Sequence, residues 1–182
     1  MIERASECGR DSLLADALNN FRCCKDIDIE TFLREKAVTF LERRWCSVYL
    51  VLDEAAFDIG KIRVEAYFTL SHKSLIPKSA SKTQIQSASG FKDSASLHFV
   101  LIGQLGKYIS NEPECGEVRA SITSKEILDY AFDVVRASSN LIPCRCVMVE
   151  CSSNEKVQKM YTDYGFSKFQ YDGDYYQFYK KI

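Results

Sequence analysis

Several side chains in this sequence are of types that do chemistry, at spacings that give them something to do. Thr123-Ser124-Lys125-Glu126 has the hydroxyl-x-x-carboxylate spacing that opens a helix. Lys125 in that opening opposes the positive end of the helix dipole, an arrangement that serves an anion better than it serves the helix. Glu150 closes an apolar run and Glu65 lies on the polar side of an alternating one, so each is a candidate proton acceptor. Taken singly, each reads more readily as a satisfied structural carboxylate. Gly103 interrupts the strand-like run Phe99–Leu105, where a glycine marks a bulge or a ligand's close approach to backbone. Tyr161 recurs with Val157, Met160 and Tyr164 at helical spacing, which by pattern alone assigns it to a packed face. His72 and His98 border a polar stretch and read as solvated. There is no C-x-x-C pair among the eight cysteines, so no metal site is expected.

These residues need elements to hold them. Asp28 is expected to cap a helix in which Ile29, Phe32, Leu33, Ala37, Phe40 and Leu41 share one face. Cys46–Leu52 reads as a strand covered on both faces. Val64, Ala66, Phe68 and Leu70 alternate with Glu65, Tyr67, Thr69 and Ser71, predicting a second strand with one polar face. Residues 72–98 turn to Ser, Lys and Gln and read as a flexible, locally cationic loop inserted before the third strand. A helix from near Ser124 to near Asn140 precedes the buried strand Cys146–Val149. Ser152-Ser153-Asn154-Glu155 predicts a second helix start, ended by Gly165. Phe166–Tyr171 and Tyr175–Tyr179 then form a hairpin about Asp172-Gly173-Asp174.

At 182 residues and 46% hydrophobic, the chain reads as a single domain over 1–182. It has no apolar run of membrane-spanning length and no signal-peptide core, so it is expected to be soluble and cytoplasmic with no membrane partner. The cysteines read as reduced thiols, Cys46, Cys146 and Cys151 filling strands. A net charge of −1 speaks against a protein built mainly to grip a phosphate backbone.

The segment Asn154-x-x-x-x-x-Met160-Tyr161-x-x-x-Gly165-Phe166, set between a buried strand and a closing hairpin, resembles the signature of the GNAT acetyltransferase superfamily. Phe21-x-Cys23, Thr31-Phe32-Leu33, Tyr67-Phe68-Thr69-Leu70-Ser71 and Ile102-Gly103-Gln104-Leu105 are similar to a small bacterial branch of it that includes toxins acetylating aminoacyl-tRNA. The resemblance runs from about residue 20 to the C-terminus. It implies an α/β (α+β) acyl-CoA N-acyltransferase fold, with a mixed, mainly antiparallel central sheet of about six to seven strands and helices on both faces.

By this resemblance acetyl-CoA is the cofactor and an amine the acceptor. Ile102, Gly103, Gln104 and Leu105 would line the pantetheine arm, exposed where two strands part. Ile122, Thr123, Ser124 and Lys125 would receive the diphosphate on the helix tip, where amides and dipole favour an anion. Tyr161 would be the general acid for the departing thiolate, Asn154 would support the cofactor or a water, and Glu150 or Glu65 would take the acceptor's proton. The family's glycine-rich phosphate loop is absent from Gly116–Ser124, where Arg119 and Lys107 would supply charge and Ser121, Thr123 and Ser124 hydroxyls.

Three readings follow. The first is an acetyltransferase acting by direct attack of a small-molecule or protein amine in a ternary complex. The second is a toxin-like enzyme acting on aminoacyl-tRNA, less favoured because of the acidic pI of 6.2 and the changed loop. The third is a domain that binds CoA or a protein without catalysis. The acceptor, and the choice between monomer and homodimer, are not specified by the sequence.

Overall fold

The structure, a computed structural model, describes residues 2–4, 12–113 and 116–182. In chain order the elements are β1 (Ile2–Arg4), α1 (Ser12–Asn19), α2 (Ile27–Thr31), α3 (Ala37–Glu42), β2 (Ser47–Leu52), α4 (Glu54–Asp58), β3 (Val64–Leu75) and α5 (Lys82–Ser89). There follow β4 (Leu97–Lys107), β5 (Ile109–Glu112), β6 (Gly116–Arg119), α6 (Ser124–Ser139), β7 (Cys146–Cys151), α7 (Glu155–Asp163), β8 (Ser167–Tyr171) and β9 (Tyr176–Lys181). Residues pack into two units, Met1–Leu70 with Gln104–Tyr130, and Ser71–Gly103 with Ala131–Ile182.

The first unit contains strands in the order β1-β2-β3-β4, with β2 antiparallel to both β1 and β3. Asp26 starts its helical segment by accepting from the amides of Asp28 and Ile29. The cap is therefore two residues earlier than the sequence suggested, and Asp28 sits in the first turn, where a carboxylate favours the dipole. Between α2 and α3 the chain widens into a π-turn over Phe32–Lys36 that turns Phe32 and Leu33 inward. The core here is built from Leu14, Leu18, Phe21, Leu33, Leu50 and Tyr67. Tyr67 is fully buried and donates from its hydroxyl to the Ile29 carbonyl at 2.7 Å.

The expected polar face of β3 is not observed, because Tyr67 and Thr69 are buried as well as Phe68 and Leu70. Tyr67 packs edge-on to Phe21 and Phe68 stacks on Tyr49, so both faces of the strand are covered. Gly106 on β4 lies against the same tyrosine. A Cβ there would overlap the Tyr67 ring and come within 2.6 Å of the Ile29 side chain, so only glycine fits.

In the second unit the order is β3-β4-β7-β9-β8. β4 and β7 run parallel, Val100 opposite Val147 and Ile102 opposite Val149, while β9 is antiparallel to both β7 and β8. Phe99, Met148, Phe169 and Tyr179 form its core with Cys146. The hairpin turn falls on Asp172-Gly173-Asp174 as expected, Gly173 taking a φ of 115° while Asp172 accepts from the amides of Asp174 and Tyr175.

The polar stretch 72–98 is not structureless. β3 continues to Leu75, and Ser81 with Gln84 forms a capping box that opens α5. Gln84 also donates to the carbonyls of Lys168 and Phe169, and Ile85 and Ala88 pack on the core. The Ser and Gln residues that look like loop composition are caps and anchors. Cys146 and Cys151 are buried, and burial pushes their thiols up, to about 11 for Cys146. Cys46 is half-buried just before β2; Cys8 and Cys115 lie outside the described residues. Among the described residues no helix is long and apolar enough to cross a membrane.

Candidate functional site

In the first unit, the residues expected around a diphosphate lie at the start of α6. Thr123 and Glu126 close the predicted capping box: the Thr123 amide and hydroxyl donate to the Glu126 carboxylate at 2.7 and 2.6 Å, and the Glu126 amide donates back to the Thr123 hydroxyl. The Thr123 hydroxyl and amide hold the Glu126 carboxyl below its ordinary value. The tip thus already carries an anion of its own. Among the described residues this leaves the amides of Ser124 and Lys125 as the unpaired donors of the first turn, beside the buried Ile122.

The cations are arranged differently from the sequence reading. Lys125 reaches one turn along the helix to Asp129 at 2.9 Å, and that pairing pushes its ammonium up. Its side chain thus has an i,i+4 partner within the helix. Arg119 lies on β6, in a hairpin with β5, and is engaged by Glu117, which also meets Lys25 at 3.4 Å. The segment expected as a phosphate loop is thus a strand over Gly116–Arg119, and its arginine has a partner. Lys107 is half-buried at the end of β4. The Gln104 amide, expected to face a ligand, donates to the Thr69 hydroxyl at 2.9 Å. Glu65 contacts Arg63 at 4.0 Å and accepts from Ser121 at 3.3 Å, the occupation of a structural carboxylate.

In the second unit the pairing of β4 with β7 ends at Ile102 and Val149. Gly103, exposed, and Glu150 with Cys151 continue their strands without a registered β4–β7 partner. Asn154 is the N-cap of α7, accepting from the amides of Lys156 and Val157, so its oxygen serves the helix; the Ser152/Ser153 box expected beside it is not the cap. α7 carries Tyr161 inward, and Gly165 ends the helix with a φ of 95°, turning the chain so that Phe166 packs edge-on to the tyrosine ring.

Tyr161 is 7% exposed, and no hydrogen bond to its hydroxyl is made among the described residues. Burial, with a smaller contribution from the Cys151 thiol, pushes its ionisation well above the ordinary tyrosine value. Such a phenol stays protonated throughout the physiological range and has a proton to give.

Glu150 is on the other side of β7. Side chains alternate across a strand, so Cys151 lies toward Tyr161 while Glu150 faces away from it. Lys73 from β3 contacts both Glu150 oxygens, at 3.1 and 3.2 Å, and the Gln177 amide donates to Oε1 at 2.6 Å. This carboxylate is held, and taking a proton from an external amine would break its pair with Lys73. The sequence reading missed this cluster. Its signal was a lone amide, Gln177, inside the aromatic run Tyr175–Tyr179, and Lys73 at the same parity as Leu75. Gln177 also donates to Asp172 at 3.0 Å and accepts from Gln170 at 2.9 Å, both glutamines being buried.

No family model matches the chain, and no curated protein matches it. Solved structures do. AtaT complexed with acetyl-methionyl-tRNAfMet aligns with all of this chain and 94% of its own at a TM-score of 0.73 and 17% identity. A tyrosine-to-phenylalanine mutant of KacT gives 0.73 and 18% over the same shares. AtaTR bound with AcCoA gives 0.68 and 16%, over all of this chain and 92% of its own. The fold is that of these proteins, the GNAT acyltransferase fold.

Proposed function

We propose that this chain is an acetyl-CoA-dependent N-acetyltransferase in which Tyr161 is the general acid. The observation that carries this reading is a tyrosine whose ring is buried and whose hydroxyl makes no hydrogen bond among the described residues, beside Cys151 where the β4–β7 pairing has stopped. The ring packs on Phe166 and Phe178, while the hydroxyl makes no hydrogen bond among the described residues and is left open to a partner from a ligand. The departing thiolate of CoA would supply one.

The cofactor's arm would lie on the backbone of Ile102, Gly103 and Leu105, since Thr69 engages the Gln104 amide. The Ser124 and Lys125 amides fit a diphosphate, with Ile122 and Thr123 beside them. Glu126 competes for the same place and must yield to the incoming anion. Lys107 and Arg119 would add charge, Arg119 after exchanging Glu117. Bound acetyl-CoA supplies the activated acyl group. Asn154 acts through the helix it caps and makes no direct contact in this reading. Titration calorimetry with acetyl-CoA tests it: saturable binding is expected, and no heat at millimolar cofactor would leave a fold without the chemistry.

A second reading takes aminoacyl-tRNA as the acceptor, as AtaT is seen with acetyl-methionyl-tRNAfMet. Its α-amine is an acceptor of the same class as a small alkylamine. Expression that arrests growth, and no longer does so with Tyr161→Phe, would support it; harmless expression would count against it.

A further inference from the structure

We propose that Lys73 is an internal acceptor: its ε-amine, held on the Glu150 carboxylate, takes the acetyl group of a bound acetyl thioester, so that the chain acetylates itself at this position. The inference rests on the acetyl-CoA reading above. It starts from what Glu150 holds. The carboxylate placed to receive an acceptor's proton is already in contact with a primary amine, at 3.1 and 3.2 Å from its two oxygens.

The arrangement is rigid. Gln177, buried on β9 directly opposite Glu150, donates to that carboxylate and to Asp172 and is fixed in turn by Gln170. Glu150 therefore cannot swing toward solvent without taking one acceptor from a buried amide. Lys73 is 33% exposed, whereas Lys82, Lys125 and Lys159 pair with surface carboxylates at 81%, 74% and 74% exposure. The acid and the amine lie on opposite faces of β7 at the place where its pairing with β4 ends. A thioester lying in the plane of the sheet, in the gap beyond that end, would have the Tyr161 side of β7 toward its sulfur and the Lys73 side toward its carbonyl carbon.

The step balances. Glu150 takes one proton from the Lys73 ammonium, and the freed lone pair attacks the thioester carbon. A C–N bond forms and the C–S bond breaks. The second amine proton passes to solvent as the amide forms, and the thiolate leaves with the proton of Tyr161. Glu150 returns its proton to solvent, from which Tyr161 is restored; the net products are acetyl-Lys73, free CoA thiol and one proton. The neutral amide cannot form the ion pair, so Glu150 is left with Gln177 alone.

The test is peptide mass spectrometry of the full chain over a time course with acetyl-CoA. Lys73 is expected to gain an acetyl group about 100-fold faster than Lys82, Lys125 and Lys159, the scale of a general acid's contribution, and Tyr161→Phe should abolish that lead. Lys73→Arg should remove the fast-modified site and leave the others unchanged. Lys73 reacting no faster than the exposed lysines would overturn the proposal, and so would a lead that survives in Tyr161→Phe. Absence of acetyl-CoA binding by calorimetry would instead bring down the acetyltransferase reading itself. Binding with transfer to added spermidine, while Lys73 stays unmodified, would overturn the internal acceptor alone.

Discussion

Tyr161→Phe separates a catalytic hydroxyl from a packing ring. The substitution deletes one oxygen and keeps the ring that packs on Phe166 at 5.6 Å and Phe178 at 6.5 Å. Because the hydroxyl has no partner among the described residues and is not one of their buried unpaired polar atoms, no internal hydrogen bond is lost and only a small loss of contact remains. Stability should therefore change by no more than about 0.5 kcal/mol, which for a chain of this length is a shift in Tm of about 2 °C at most. The acyl-transfer rate should fall by about 10²- to 10⁴-fold, equivalent to roughly 3–5 kcal/mol of barrier. Release of CoA thiol, followed with a chromogenic disulfide, and a thermal melt on the same preparation measure the two quantities together. A variant that loses several degrees of Tm, or one that keeps its rate, would refute the assignment.

Gly106→Ala adds a methyl against the fully buried Tyr67 ring and the Ile29 side chain, and should cost about 1–3 kcal/mol in denaturant unfolding. Asn154→Ala removes the α7 cap and should cost about 1 kcal/mol, leaving acetyl-CoA affinity unchanged by calorimetry. Burial pushes the Glu30 carboxyl up, but the Cys23 amide and Arg34 outweigh this and hold it below its ordinary value. A depressed folded pKa contributes stability that is present above the unfolded value of about 4.3 and lost as pH falls through the folded one. Glu30→Gln should therefore flatten the acid limb of the stability–pH curve below about pH 4 while lowering the plateau at neutral pH.

Periodicity and caps carried most of the architecture. The Thr123–Glu126 box, the Gly165 stop and the Asp172–Asp174 turn depend on residues close in the chain, and all three stand where local chemistry puts them. What the sequence hid depends on distant partners. The burial of Thr69 follows from the cover on both faces of β3, and α5 is held by Gln84 reaching backbone 84 and 85 residues away. At the site, the inward face of the helix carrying Tyr161 followed from local pattern, while the parting of the two strands was expected from the family resemblance alone. The engagement of Arg119 by Glu117, of Lys125 by Asp129 and of Glu150 by Lys73 followed from neither, because a charge in a sequence does not announce its partner.

The alternation of Glu150 and Cys151 along β7 makes this chain unequal in its tolerance of length changes. One residue inserted upstream in that strand would exchange the two sides, bringing a carboxylate against the phenol and a thiol against the ammonium, with the backbone ladder otherwise intact. An insertion in the Asp172–Asp174 turn would be absorbed at the surface. Drift in loop length would thus leave the two sides of β7 as they are, while a slip of register in this one short strand would exchange them.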